Sequence, residues 1–294
     1  MRRPYASICA IALSGATFAQ NVPDWIALDG FEFATPPTSF RFIDLDLRDP
    51  HVYLPIVLPP PLPTICSDFT DNALPGAGFS FNGAIQQSFG TDADPADGLL
   101  DASSLLWFRP LRQDGAHARV DGGSADCVAP APPISCAPTA GGVPRVAQYA
   151  AFSMGTCLAP RAGTLGAPPY SPAVTSSAAV GTEACFTTAP REALFEFDGV
   201  LVPLIDAQVA ARFVGQPANA LADGLLSGFL RETDANQILI ANPSLPGGSA
   251  TLASLLAGGS GNCSARNDKD SHRGESGWWF YFNFNATTVN FTGP

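Results

Sequence analysis

The 294-residue chain sets 15 Lys+Arg against 26 Asp+Glu, a formal charge of −11, and carries 28 Gly, 28 Pro and only 14% charged residues. That many prolines exclude a coiled coil or long-helix protein, and 46% hydrophobic residues exclude a disordered chain. The acidic balance excludes a nucleic-acid binder, because no basic patch can be assembled from it.

The N-terminus reads as an export signal. Met1-Arg2-Arg3-Pro4-Tyr5 is a short basic start, Ala6–Ala16 is a run of apolar and small residues, and Thr17-Phe18-Ala19 offers small residues at the −3 and −1 positions of a cleavage. The run is too short to span a bilayer. Residues 1–19 are therefore expected to be a signal peptide, 20–38 a polar leader, and 39–294 a single β-rich domain. Removing Arg2 and Arg3 leaves 13 basic against 26 acidic residues. No later apolar run reaches the ~18 uncharged residues of a spanning helix, so no transmembrane span is expected.

Cysteine counting supports export independently. Loss of Cys9 with the signal leaves six cysteines, Cys66, Cys127, Cys136, Cys157, Cys185 and Cys263, an even set that reads as disulfides in an oxidising compartment. Six cysteines allow 15 connectivities. Proximity favours Cys127–Cys136 and Cys157–Cys185, leaving Cys66–Cys263. Zinc is a weak rival, with no C-x-x-C pair and three histidines in the chain.

Along the chain, 40–47 alternates, with Phe42, Asp44 and Asp46 on one face and Ile43, Leu45 and Leu47 on the other, which predicts a strand. A second short strand over 52–58 leads into Pro59–Pro63, predicted as an extended polyproline connection. Asn82–Phe89 is predicted to be a short helix, and 105–110, 116–120 and 146–152 to be strands. Residues 127–182 hold nine prolines and two charges, Arg145 and Arg161, and read as ordered, disulfide-stapled loops. Asp198-Gly199 between two β-rich runs predicts a two-residue hairpin turn. Residues 208–213 alternate again. Leu221, Leu225 and Phe229, at i, i+4 and i+8, predict a helix over 217–232. The aromatic run from Gly277 to Phe284 predicts a final strand. Many short strands, proline-rich turns and one or two helices give an expected mainly β fold, an antiparallel β-sandwich that is jelly-roll-like.

The acidic loop 92–101 is the first candidate site. Asp92, Asp94, Asp97 and Asp101, with Gly98, resemble an EF-hand-type calcium loop over about ten residues, with Asp101 standing in for the usual twelfth-position acid, so Ca²⁺ is the cofactor this loop could hold. A second loop offers Asp268, Asp270 and Glu275, interrupted by Lys269 and Arg273. On the last strand Trp279 and Tyr281 share a face that would stack on sugar if exposed. No nucleophile elbow, H-E-x-x-H or P-loop occurs. His51 lies at a strand start, His117 reads as exposed, and His272 sits in the second acidic loop. Asn285-Ala286-Thr287 and Asn290-Phe291-Thr292 match glycosylation sequons, which matter in a eukaryotic host. Lys269 is the sole lysine, an arginine bias that suggests a GC-rich bacterial genome. Together these features predict a secreted or periplasmic binding or structural module that meets a carbohydrate or a protein surface. The alternative is a secreted carboxylate-dependent hydrolase, such as a glycoside hydrolase.

Overall fold

The computed structural model describes residues 37–73, 80–93, 96–115, 117–129, 133–140, 145–152, 157–164, 184–197, 200–241 and 248–293. The expected signal peptide, the leader up to residue 36, Asp94 and the Asp198-Gly199 pair lie outside them. In chain order the elements begin with β1 (Thr38–Asp49), β2 (Tyr53–Ile56), β3 (Ile65–Asp68), α1 (Phe81–Ser88), β4 (Ser104–Arg109), β5 (His117–Cys127) and β6 (Ser135–Pro138). They continue with β7 (Arg145–Phe152), β8 (Cys185–Thr188), β9 (Arg191–Phe197), β10 (Val200–Val214), β11 (Ala220–Arg231) and α2 (Glu232–Ala235). The last are β12 (Leu239–Ala241), β13 (Ser249–Thr251), α3 (Leu252–Leu255), β14 (Asp270–His272) and β15 (Glu275–Phe291). The fold is mainly β, as the strand patterning predicts, and is built on one large sheet.

Antiparallel pairing runs β15–β1–β4–β5–β7–β8–β10–β11 and returns to β15, so eight strands form a closed hydrogen-bonded circuit. Closure removes the open edges that would otherwise invite pairing with other chains. Strand β6 joins β5 antiparallel and β15 parallel, β9 pairs β10, and β14 pairs β15. β2–β3 and β12–β13 are separate hairpins. Rings fill the interior. Phe108 is fully buried and meets Phe40, Tyr149 and Phe186 edge-on at centroid distances of 5.5, 5.0 and 5.0 Å.

The junction between β1 and β4 is short, covering Thr38–Arg41 of β1. Beyond it, helix α1 takes over the strand's free side. Ser80 caps the helix by accepting from the Gly83 N–H, and Ile85 and Phe89 pack into the core. The Asn82 amide accepts from the Leu47 N–H (2.8 Å) and donates to the Leu47 carbonyl (3.0 Å), replacing a strand partner for that residue.

Three sequence expectations need correction. Strand β1 does not alternate evenly, because the register slips between Phe42 and Asp44. This bulge turns Ile43 out to 46% exposure and puts Phe40, Phe42, Leu45 and Leu47 in one core. Residues 59–63 are not an extended polyproline segment. The Leu62 N–H donates to the Pro59 carbonyl (3.0 Å), forming a turn within the β2–β3 connection. The predicted helix over 217–232 is instead β11, between β10 and β15. Its glycines fit the strand because neighbours come close: a Cβ at Gly224 would lie 2.6 Å from the Phe284 ring, and one at Gly228 would lie 2.8 Å from Leu204 Cβ.

The predicted hairpin strands are present as β9 and β10, with Phe197 opposite Val200. The disulfides are Cys66–Cys263, Cys127–Cys136 and Cys157–Cys185, the pairing that proximity favours. Among the described residues no helix is long and apolar enough to cross a membrane.

Candidate functional site

The described carboxylates of the first acidic loop bind their own backbone. Asp92 accepts from the N–H groups of Asp97 and Gly98 (3.0 Å each), and Asp97 accepts from Leu99 (3.0 Å). Asp101 accepts from the Ala93 N–H (2.8 Å) and the Thr91 hydroxyl (2.6 Å). These are turn-forming contacts of the kind short acidic side chains make in loops.

The residues of the second loop take separate roles. Glu275 pairs with Arg231 at 2.5 Å, and Asp270 accepts from the Trp279 N–H (3.3 Å). Asp268 turns inward. Trp279 and Tyr281 are 3% and 1% exposed, so they are interior rings rather than a stacking platform. Segment 157–164 covers them: the Arg161 guanidinium lies 4.3 Å from the Trp279 ring centroid, and the Tyr281 hydroxyl accepts from the Arg161 N–H and bonds the Thr164 hydroxyl.

Among the described residues, one group of three potential ligand side chains converges within 4.8 Å: Asp49, His51 and Asp268, all buried. Asp49 ends β1 and His51 follows two residues later. The 256–268 segment is fastened beside them by backbone bonds, Ala257 N–H to the His51 carbonyl (3.1 Å) and Asp268 N–H to the Ala257 carbonyl (3.2 Å). One oxygen of Asp268 accepts from the His51 backbone N–H (2.9 Å) and lies 3.1 Å from His51 Nδ1, while the other accepts from Arg266 (2.7 Å). Asp49 lies 3.8 Å from the same ring nitrogen, and Asp68 lies 3.9 Å from Nε2. The Cys66–Cys263 bridge joins β3 to this same segment.

Electrostatics follow from the geometry. Burial alone would pull the imidazole down, but its hydrogen bond to Asp268 and the nearby Asp49 carboxyl outweigh that and hold it up at about 9. Burial pushes Asp268 up, and the hydrogen bonds from His51 and Arg266 overcome this and keep its carboxyl below the usual range. Burial raises Asp270 to about 6; the Trp279 N–H opposes that rise, and the charges of Asp49 and Asp268 add to it. At neutral pH His51 is therefore held as an imidazolium against the Asp268 carboxylate. A deprotonated His51 with two aspartates would be a ligand set suited to a first-row divalent ion, which would compete with the proton for the ring nitrogen.

In sequence His51 reads as an ordinary strand-start residue. The signal within reach was Asp49-Pro50-His51, which places an acid and an imidazole two residues apart. The decisive partner, Asp268, is 217 residues from His51. An open depression of about 510 Å³, lined by Pro110–Asp114 and Gln216–Pro217, adjoins none of this cluster. Comparison with protein-family models, with curated proteins and with solved structures yields no match to this chain, so the functional reading rests on its own residues.

Proposed function

We propose that the chain is an exported, disulfide-braced module that acts outside the cytoplasm by binding or structural support, its partner being a carbohydrate or a protein surface. The carrying observation is the double latch at one place, where the Cys66–Cys263 bridge fixes the 256–268 segment to the β2–β3 hairpin and the Asp49–His51–Asp268 cluster fixes it to the end of β1. A covalent brace of this kind persists where thiols are oxidised, and the ionic part rigidifies the same joint. Expression of the full chain in a bacterial host tests export. The expected result is a periplasmic or secreted polypeptide beginning at Gln20, with no thiol open to alkylation before reduction. Cytoplasmic retention with reactive thiols would overturn the reading.

One observation favours a second reading, a carboxylate-dependent hydrolase. Asp268 is held low while Asp270, two residues on, rises to about 6, and such splitting is how paired carboxylates divide base and acid roles. Gels containing soluble polysaccharides separate the two. Retardation without release of reducing ends supports binding, whereas release abolished by Asp270→Asn would support hydrolysis.

A further inference from the structure

In the Asp49–His51–Asp268 cluster one imidazole nitrogen and two carboxylates meet in the interior. Asp49, His51 and Asp268 are 0%, 4% and 5% exposed. His51 Nδ1 lies 3.1 Å from Asp268 Oδ2 and 3.8 Å from Asp49 Oδ1, and the three ligand atoms stand within 4.8 Å of one another. Around a tetrahedral ion with bonds of ~2.1 Å, neighbouring ligand atoms are about 3.4 Å apart. The two separations at Nδ1 straddle that value, so small side-chain movements admit an ion between the three atoms. Arg266 takes Asp268 Oδ1 (2.7 Å), which leaves Oδ2 on the side of the ring.

The far side of the ring points the same way, independently of these three groups. Nε2 faces Asp68 Oδ2 at 3.9 Å, and Asp68, with 28% side-chain exposure, has room to close that distance. Its other oxygen accepts from the Thr70 N–H (3.0 Å), which holds the carboxylate in place. A histidine that binds metal through one nitrogen ordinarily donates its other N–H to a carboxylate, which fixes the tautomer and makes the ring a better ligand. Ligating carboxylates are in turn held by hydrogen bonds, as Asp268 is by the His51 N–H (2.9 Å) and Arg266. His272 lacks this arrangement. Among the described residues it pairs with Asp206 (2.7 Å), whose other oxygen is taken by Arg273 (2.8 Å).

We infer that Asp49, His51 and Asp268 bind one divalent first-row transition ion of the zinc type, through His51 Nδ1 and one oxygen of each carboxylate, with water in the fourth position. On binding, the Nδ1 proton leaves to solvent, and the ring proton on Nε2 points to Asp68. In the metal-free protein the Nδ1 proton holds the ion's place. The set is too small for Ca²⁺, which takes about six to eight oxygens, and its imidazole does not suit Mg²⁺. The site needs no carbohydrate or protein partner and stands whether or not the chain is exported.

Equilibrium dialysis of the chelator-treated, oxidised full chain against Zn²⁺ at neutral pH, read by elemental analysis, tests this. The expected result is one bound ion per chain that His51→Gln loses and His272→Gln keeps. Zn²⁺ should also give a saturable rise in Tm, about 5 °C at a hundredfold excess over Kd, which Ca²⁺ and Mg²⁺ do not reproduce. Should His51→Gln fail to fold, Asp68→Asn, which leaves all three ligands in place, should weaken binding by about 10- to 100-fold. No retained zinc, zinc held equally by wild type, His51→Gln and Asp68→Asn, or an equal rise in Ca²⁺ would each overturn the inference.

Discussion

In the loop 92–101 the described aspartates are neighbours in sequence, are exposed or half-exposed, and bond to backbone N–H groups a few residues away. At the end of β1, Asp49 and Asp268 come from distant parts of the chain, are buried, and share one imidazole. The disulfides beside the two regions repeat the contrast. Cys127–Cys136 packs against Leu100 at the end of the acidic loop and spans 9 residues, whereas Cys66–Cys263 holds the His51 region and spans 197. Acidic residues that are close in sequence make turns here, while groups that converge from far apart carry the electrostatic and entropic stabilisation.

The largest test of that contrast is covalent. Replacing Cys66 and Cys263 together by Ala should destabilise by about 5 kcal/mol, against about 2.5 kcal/mol for the Cys127–Cys136 pair, because a longer closed loop restricts the unfolded chain more. Urea midpoints of the two double variants, measured in the oxidised state, give the ratio. Equal losses would remove the entropic half of the comparison. Next, Asp268→Ala should cost about 3–5 kcal/mol at neutral pH, since it leaves a buried imidazolium without its main partner. A loss below 1 kcal/mol in denaturant titration would mean that the cluster is incidental.

The third test is pH. His51 stands near 9 in the folded protein and about 6.5 in an unfolded chain. Because the folded value is the higher one, its contribution is fully present below pH ~6.5 and is lost as pH rises through about 9. The wild-type midpoint should therefore fall between those limits more than that of His51→Gln, and parallel curves would contradict the latch. The smallest expected effect belongs to the acidic loop. Asp97→Asn should change stability by no more than about 0.5 kcal/mol, and melting should be the same in EDTA and in Ca²⁺. A Ca²⁺-dependent rise that disappears in Asp97→Asn would reverse the comparison and make the loop the metal site that its spacing suggests.

Much of the β architecture is legible from local patterning, because a strand with one buried face must alternate. In the segment 217–232, Leu225 and Phe229 are spaced by four, which suits one face of a helix but also one face of a strand, since four is even, whereas Leu221 falls on the other face because the register shifts between Leu221 and Gly224. In β11 both faces are buried, with Leu225 and Phe229 in one cluster and Leu221, Leu226 and Leu230 in the other, and Ser227 is buried too, so no exposed polar face marks the period. The bulge at Ile43 is equally hidden, as it arises from pairing with β15. The disulfide pairing was readable because two pairs are close in sequence and the third follows. The His51 cluster is not readable in this way, because Asp268 lies 217 residues from His51 and only the folded chain brings the two together.

The closed circuit also governs when the protein can fold. Strand β15 is the neighbour of both β1 and β11, so the first and last strands of the ring are partners. A chain emerging from the ribosome can form the β9–β10–β11 meander early, but β1 waits for its principal partner until residues 275–291 have been made. Contacts of such high sequence separation form slowly. For the export proposed above, that delay would leave the chain without its ring of strands until β15 has been made.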